Sequence, residues 1–242
     1  MINTVLFDLD GTLLRFSQEA FIDAYFGELA KVFARMGMDA KLSIKAVWAG
    51  TKAMFGNDGS KPNSVRFWDT FAGFLGLGNE QAKTVEAACD SFYTNEFNAV
   101  KSIVDHSDIS KRLVRGLSRK GYNVALATNP LFPECAVESR LGWIGLEASD
   151  FIHITHYSNS SFCKPNLGYY GELLSRIGKA PQQCLMVGNN PVEDMVAGEL
   201  GIETFLVTDY LEDEASVDVS VFRHGTLDEL ESALMSMPDI VF

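Results

Sequence analysis

Residues 2–14 read Ile2-Asn3-Thr4-Val5-Leu6-Phe7-Asp8-Leu9-Asp10-Gly11-Thr12-Leu13-Leu14. The apolar run from Ile2 to Leu9, rich in Val, Leu and Phe, has the length of a strand buried on both faces. Its far end holds Asp8 and Asp10, and a spacing of two directs both carboxylates to the same side of an extended chain. Two such groups at the mouth of a buried strand repel each other and lose hydration. A positive partner is required, and a hard oxygen-seeking cation such as Mg²⁺ meets that need.

Four further apolar runs follow: Tyr122–Ala127, Phe151–Thr155, Cys184–Val187 and Thr204–Val207. Helical patterns alternate with them over Asp108–Lys120, Pro133–Leu141, Pro165–Ile177 and Pro191–Leu200. Prolines suit the first position of a helix, and Gly121 and Gly201 suit its end. Strands alternating with helices predict an α/β fold with a parallel sheet and helices on both faces. Residues 17–97 break this rhythm. Ser17 can cap a helix bearing Phe21, Tyr25, Leu29, Val32, Phe33 and Met36 at helical spacing, and Gly37 ends it. Helices are expected at 40–55, 63–75 and 79–97, divided by Gly56–Gly59 and Gly76–Gly78. The chain thus divides into a core of residues 1–16 and 98–242 and a four-helix insert of residues 17–97.

The 242 residues have a net charge of −12, of which the insert holds only −2 and the remainder −10. So acidic a chain has no general attraction for nucleic acid or an anionic membrane surface. No apolar run approaches a membrane span, and neither a basic leader nor a cleavage signal is read at the N-terminus. Cys89, Cys135, Cys163 and Cys184 lie far apart without a C-x-x-C pair, which fits a reducing cytoplasm. Nothing specifies an oligomeric state. The acidic stretch Asp209–Asp218 reads as a solvated loop.

Polar residues gather immediately after the strands: Asp8 and Asp10, Thr128 and Asn129, Lys164, then Asn189 and Asp194. Ligands of open α/β sheets bind beyond these strand ends. At these residues the chain resembles the haloacid dehalogenase (HAD) superfamily. Phe7-Asp8-Leu9-Asp10-Gly11-Thr12-Leu13 is similar to the family's D-x-D-G-T motif. Val124–Asn129 is similar to its second motif, Lys164-Pro165 to its third, and Gly188-Asn189-Asn190-Pro191-Val192-Glu193-Asp194 to its fourth. The insert looks like the family's helical C1-type cap.

The resemblance implies a HAD-like Rossmannoid core and a Mg²⁺-dependent phosphatase acting on a small phosphorylated metabolite. Asp8 would be the nucleophile and Asp10 the general acid and base. Thr128, Asn129 and Lys164 would hold the phosphate, and Lys164 would also steady Asp8. Asp8, Asp10 through its carbonyl, Asn189 and Asp194 would form the metal site. An acid at position 10 favours phosphoryl chemistry over the family's dehalogenase branch, which lacks one there. A sugar phosphomutase and a catalytically weakened binding protein are the alternatives.

One residue departs from the family pattern. The fourth motif usually begins Gly-Asp, and Asn189 removes that negative charge, which predicts a need for relatively high Mg²⁺. Asp194 is the acid expected in the metal shell, and Glu193 is expected to face solvent. Substrate specificity should lie in the insert, where Arg66, Phe67 and Trp68 are candidates and Lys52 and Lys61 flank a break, and Arg15 is expected near the site or at the hinge. These aromatics are expected to be insert core and the basic residues solvated. His153 and His156 are expected to be structural, because no third ligand accompanies them.

Overall fold

A computed structural model describes residues 1–105, 107–212 and 217–240. Its centre is a six-stranded parallel sheet ordered β3-β2-β1-β4-β5-β6. The strands are β1 (Thr4–Phe7), β2 (Asn123–Leu126), β3 (His153–Ile154), β4 (Cys184–Gly188), β5 (Glu203–Val207) and β6 (His224–Gly225). The five expected strands are present, and β6 is an addition. It has two residues and lies at the sheet edge, too short to leave a periodic signal.

β1 is central, with all four of its residues buried, and it pairs with β2 on one side and β4 on the other. Phe7 stands in register with both Leu126 and Val187. The three chains therefore leave the sheet at one level, where Asp8, Thr128 and Asn189 begin their loops. Because successive strands pass to opposite sides of β1, the chains diverge there and open a crevice.

Helices α5 (Ile109–Arg119), α6 (Glu134–Trp143), α7 (Leu167–Ile177) and α8 (Leu227–Met235) flank the sheet. Expected starts shift slightly. Pro133 is the residue before α6, and Asn166 caps α7 by accepting from the Gly168 N–H at 2.8 Å. The segment after Pro191 forms a 3-10 helix, Met195–Leu200, ended by the left-handed Gly201. Asn190 is the cause. Its Oδ1 accepts from the N–H groups of Val192 and Glu193, both at 2.9 Å, which ties the segment into a side-chain-capped turn.

Between β1 and α5 lie α1 (Gln18–Arg35), α2 (Ala40–Phe55), α3 (Asn63–Leu75) and α4 (Asn79–Thr94). Ser17 caps α1, accepting from the Ala20 N–H. α4 ends earlier than the apolar pattern suggests, and a 3-10 helix, Glu96–Ile103, follows. One continuous apolar cluster includes Phe21, Phe33, Phe71 and Phe92 of these helices together with Val5, Phe7, Leu113 and Leu126 beneath them. A second cluster, around Leu6, Tyr169, Tyr170 and Met186, fills the opposite face of the sheet. No helix of the described residues is long and apolar enough to cross a membrane.

Candidate active site

Asp8 continues the β1 ladder by one bond, its N–H donating to the Val187 carbonyl at 2.8 Å. The chain then turns sharply, with the Leu14 N–H donating to the Leu9 carbonyl at 2.8 Å. Gly11, at φ 77°, makes that turn, and a Cβ there would lie 2.1 Å from Asn189 Nδ2. Both the conformation and the close approach therefore require glycine.

Lys164 is brought in by the loop before α7 and is 1% exposed. Its Nζ donates to Asp8 Oδ1 at 2.8 Å and to Asp194 Oδ1 at 2.6 Å. Burial opposes the ammonium charge, but Asp194 and Asp8 outweigh it and keep Lys164 protonated well above the usual lysine range. Asp194 is held through both oxygens, because its Oδ2 accepts from the Asn190 N–H at 3.0 Å. Gly188 makes room for this arrangement, since a Cβ there would fall 2.0 Å from Asp194 Oδ2.

Asp10 has a partner the sequence reading missed. Arg140 of α6 is 0% exposed, and its Nη1 donates to Asp10 Oδ2 in a short ion pair. The guanidinium also lies over the Phe132 ring, 4.4 Å from its centroid, and its Nε donates to the Ala136 carbonyl at 3.3 Å. Asp10 Oδ1 and Arg140 Nη2 are buried without a partner among the described residues. The pair is thus made through one bond and leaves one acceptor and one donor free. A signal was available: Ala136, Val137, Arg140 and Leu141 share one helical face, so the period places an arginine where the core should be.

Just beyond β2, the Thr128 carbonyl accepts from Thr155 Oγ1 at 2.7 Å and from the Tyr169 hydroxyl at 3.0 Å. These bonds fix the loop, leaving the Thr128 hydroxyl and the Asn129 N–H without partners among the described residues. Asn129 Nδ2 donates to Glu193 Oε2 at 2.8 Å, and its Oδ1 accepts from the Lys164 N–H at 3.3 Å. Glu193 therefore faces inward rather than into solvent. Burial pushes its carboxyl up to about 7, with Lys164 opposing the rise. The turn that orients it depends on Asn190, which sequence spacing does not reveal.

Asn189 is held at both ends of its amide. Oδ1 accepts from Thr12 Oγ1 at 3.1 Å and Nδ2 donates to the Tyr210 carbonyl at 2.6 Å. An aspartate could not make the second bond, which gives a physical reason for the amide at this position. As a cation site the set is all oxygen: the Asp8 carboxylate, the Asp10 carbonyl and the Asn189 amide oxygen, which keeps one lone pair. These donors, with the Asp194 carboxylate expected beside them, suit a hard cation in kind, and both carboxylates are already shared with Lys164.

The remaining candidates lie away from these groups. Arg15 pairs with Asp105 and Asp209, each at 3.2 Å, at the base of the insert. Arg66 braces the Asn57–Ser60 loop, and Lys61 pairs with Asp69. Lys52 is exposed. Phe67 and Trp68 line the site cavity, which has a volume of about 370 Å³ and reaches from Asp8 and Asp10 up among α1–α4. His153 and His156 sit by β3, and no group of three His, Cys, Asp or Glu placed to hold a metal occurs among the described residues. Of the expected solvated loop, Asp209 Oδ2 accepts from the Leu227 N–H and Glu212 Oε2 from Asn190 Nδ2, so both are folded in. Residues 213–216 lie outside the described residues.

A haloacid dehalogenase-like hydrolase model matches residues 2–201. The chain belongs to that family. No curated protein matches this HAD-like hydrolase. Among solved structures, a HAD phosphatase from Thermococcus onnurineus is 17% identical, with a TM-score of 0.60, over 99% of this chain and 100% of the other. A 2-haloacid dehalogenase from Pseudomonas syringae is 17% identical, with a TM-score of 0.61, over 97% and 98%. A HAD hydrolase from Bacillus subtilis, solved with magnesium bound, is 20% identical, with a TM-score of 0.56, over 96% and 98%. Phosphatases and dehalogenases alike share this fold, so the chemistry has to be argued from the site.

Proposed function

We propose that this HAD-like hydrolase is a Mg²⁺-dependent phosphatase that cleaves a small phosphorylated metabolite through an aspartyl-phosphate. The observation that carries the reading is Asp8 at the cavity floor, with one oxygen fixed by buried Lys164 and Asp10 beside it. The free Asp8 oxygen attacks phosphorus, and the ester P–O bond breaks as Asp10 gives its proton to the leaving oxygen. Asp10 then takes a proton from water, which attacks the same phosphorus. The bond from phosphorus to Asp8 breaks, and both carboxyl groups return to their starting state.

Arg140 holds one Asp10 oxygen, and the other has no hydrogen-bond partner among the described residues, so a single side chain positions this carboxyl. The Thr128 hydroxyl, the Asn129 N–H and Lys164 hold phosphate oxygens where charge develops. Asp194 anchors Lys164 and keeps lone pairs on both oxygens for the metal shell. Asp8, the Asp10 carbonyl, Asn189 and Asp194 would hold Mg²⁺, which would neutralise phosphate charge; the Bacillus subtilis relative was solved with that ion. Residues 17–97 serve as a cap over the core, and the four free cysteines fit a cytoplasmic setting.

The test is phosphate release from an aryl phosphate with and without Mg²⁺, using Asp8→Asn as the blank. The wild type should release phosphate only with the metal, and the variant should be inactive. Turnover that survives Asp8→Asn defeats the covalent route.

A further inference from the structure

The cavity above Asp8 has an unusual lining for a site that receives a phosphate ester. Its walls include Tyr25, Phe26, Trp48, Phe67, Trp68 and Tyr157, and among the described residues no Lys, Arg or His lines it. Two pairs of polar tips at this wall are turned to one another. The Tyr25 and Tyr93 hydroxyls bond at 2.7 Å, and Trp68 Nε1 donates to the Tyr157 hydroxyl at 3.4 Å. Of the lining side chains in α1 and α2, that leaves Gln18, Trp48 and Thr51 as donors a polyol could meet, against walls that are otherwise apolar. Charged lining is acidic, from Asp90 at the rim to Glu193 and Glu212 near the floor. A second anionic group on the substrate would meet like charge and no cation. The basic residues of the cap are engaged elsewhere or exposed, as Arg66, Lys61 and Lys52 are. At about 370 Å³ the cavity is in the range of small-molecule sites.

We infer that the leaving group is an uncharged apolar alcohol with an alkyl or ring body, and that sugar phosphates and phosphorylated carboxylic acids are poor substrates. This rests on the phosphatase reading and names the substrate class for the same site. Lys164 and the metal receive the phosphate, and the cap receives the carbon body by excluding water from it. Aromatic walls give this contact large area with little side-chain entropy lost.

The experiment compares kcat/KM with Mg²⁺ for ethyl, butyl, hexyl and octyl phosphate, whose leaving groups have nearly equal acidity. Glucose 6-phosphate, phosphoglycolate and phosphocholine are the polar, anionic and cationic arms. The alkyl series should rise by up to about fourfold per methylene until the cavity is filled, and all three polar arms should fall below hexyl phosphate. Trp48, 48% exposed at the cavity wall, is replaceable without loss of core. Trp48→Ala should shrink the octyl-to-ethyl preference at least threefold, mostly through KM. A flat series, or any polar arm matching hexyl phosphate, overturns the inference while leaving the phosphatase reading intact. If no ester releases phosphate, that reading fails by itself. Calorimetric binding of 1-hexanol against glucose then decides the cavity's preference: tighter hexanol binding supports the apolar chamber, and equal or weaker binding overturns it.

Discussion

Asn189 shows how one side chain can be read two ways. From sequence it is a missing charge in a metal site. In the structure its amide is also a clamp, accepting from Thr12 and donating to the Tyr210 carbonyl. Asn189→Asp should act on both properties. A carboxylate there adds a charged oxygen donor, and the Mg²⁺ concentration giving half-maximal activity should fall several-fold. The same change sets an acceptor against the Tyr210 carbonyl, and a buried acceptor left without a donor costs about 1–3 kcal/mol. Metal titration and urea melts of the two proteins check both halves. No gain in metal affinity would remove Asn189 from the metal site.

Among the elements, α6 carries the clearest gap between sequence and structure. Asp8 and Thr128 were legible because each follows an apolar run, where strand chemistry gives way to loop chemistry, and Lys164 because it stands before a proline in the loop after the third run. Arg140 lies inside a helix, and its role comes from Asp10, 130 residues away, so no local pattern joins them. Glu193 was hidden for the same reason, since Asn129 from another strand decides where it points. Arg140→Met should leave Asp10 unheld and lower kcat by roughly a hundredfold, the lower end of the range for general acid catalysis. The loss should be greater for alkyl than for aryl esters, because aryl leaving groups need little protonation. An equal loss for both would make Arg140 purely structural.

The short strand β3 supplies the pH argument. Burial pushes His153 and His156 below the usual histidine range, helped in each case by Arg176, while Glu172 opposes the shift at His153 and Glu134 opposes it at His156. The folded state therefore favours neutral imidazoles. Their contribution is present above the unfolded value of about 6.5 and is lost as pH falls through their lowered values. Glu193 works in the opposite sense, because its raised carboxyl is more easily protonated when folded. Comparing urea midpoints at pH 7.5 and 5.5 with those of a His153→Asn, His156→Asn double variant separates the two. The wild type should lose more stability than the double variant on acidification. An equal loss excludes the histidines.

Over the whole molecule, charge and apolar packing divide the chain differently. Charge separates residues 17–97, at −2, from a core at −10. Packing joins them. Phe21 of α1 meets Phe132, just before α6, edge-on at 6.0 Å, and Tyr25 meets the same ring at 5.4 Å. Phe97 packs against both Phe92 of α4 and Trp143 of α6, at 5.6 and 4.8 Å. A cap with a separate core would melt independently, whereas one sharing aromatic contacts with the sheet layer loses its own packing when that layer opens. The chain should therefore unfold in a single transition, with calorimetric and van't Hoff enthalpies equal. Phe132→Ala removes the ring that touches Phe21, Tyr25 and the Arg140 guanidinium at once. It should lower stability by about 3–5 kcal/mol, and the transition should remain single. Two resolved transitions in the wild type would show that the aromatic seam does not couple the insert to the sheet.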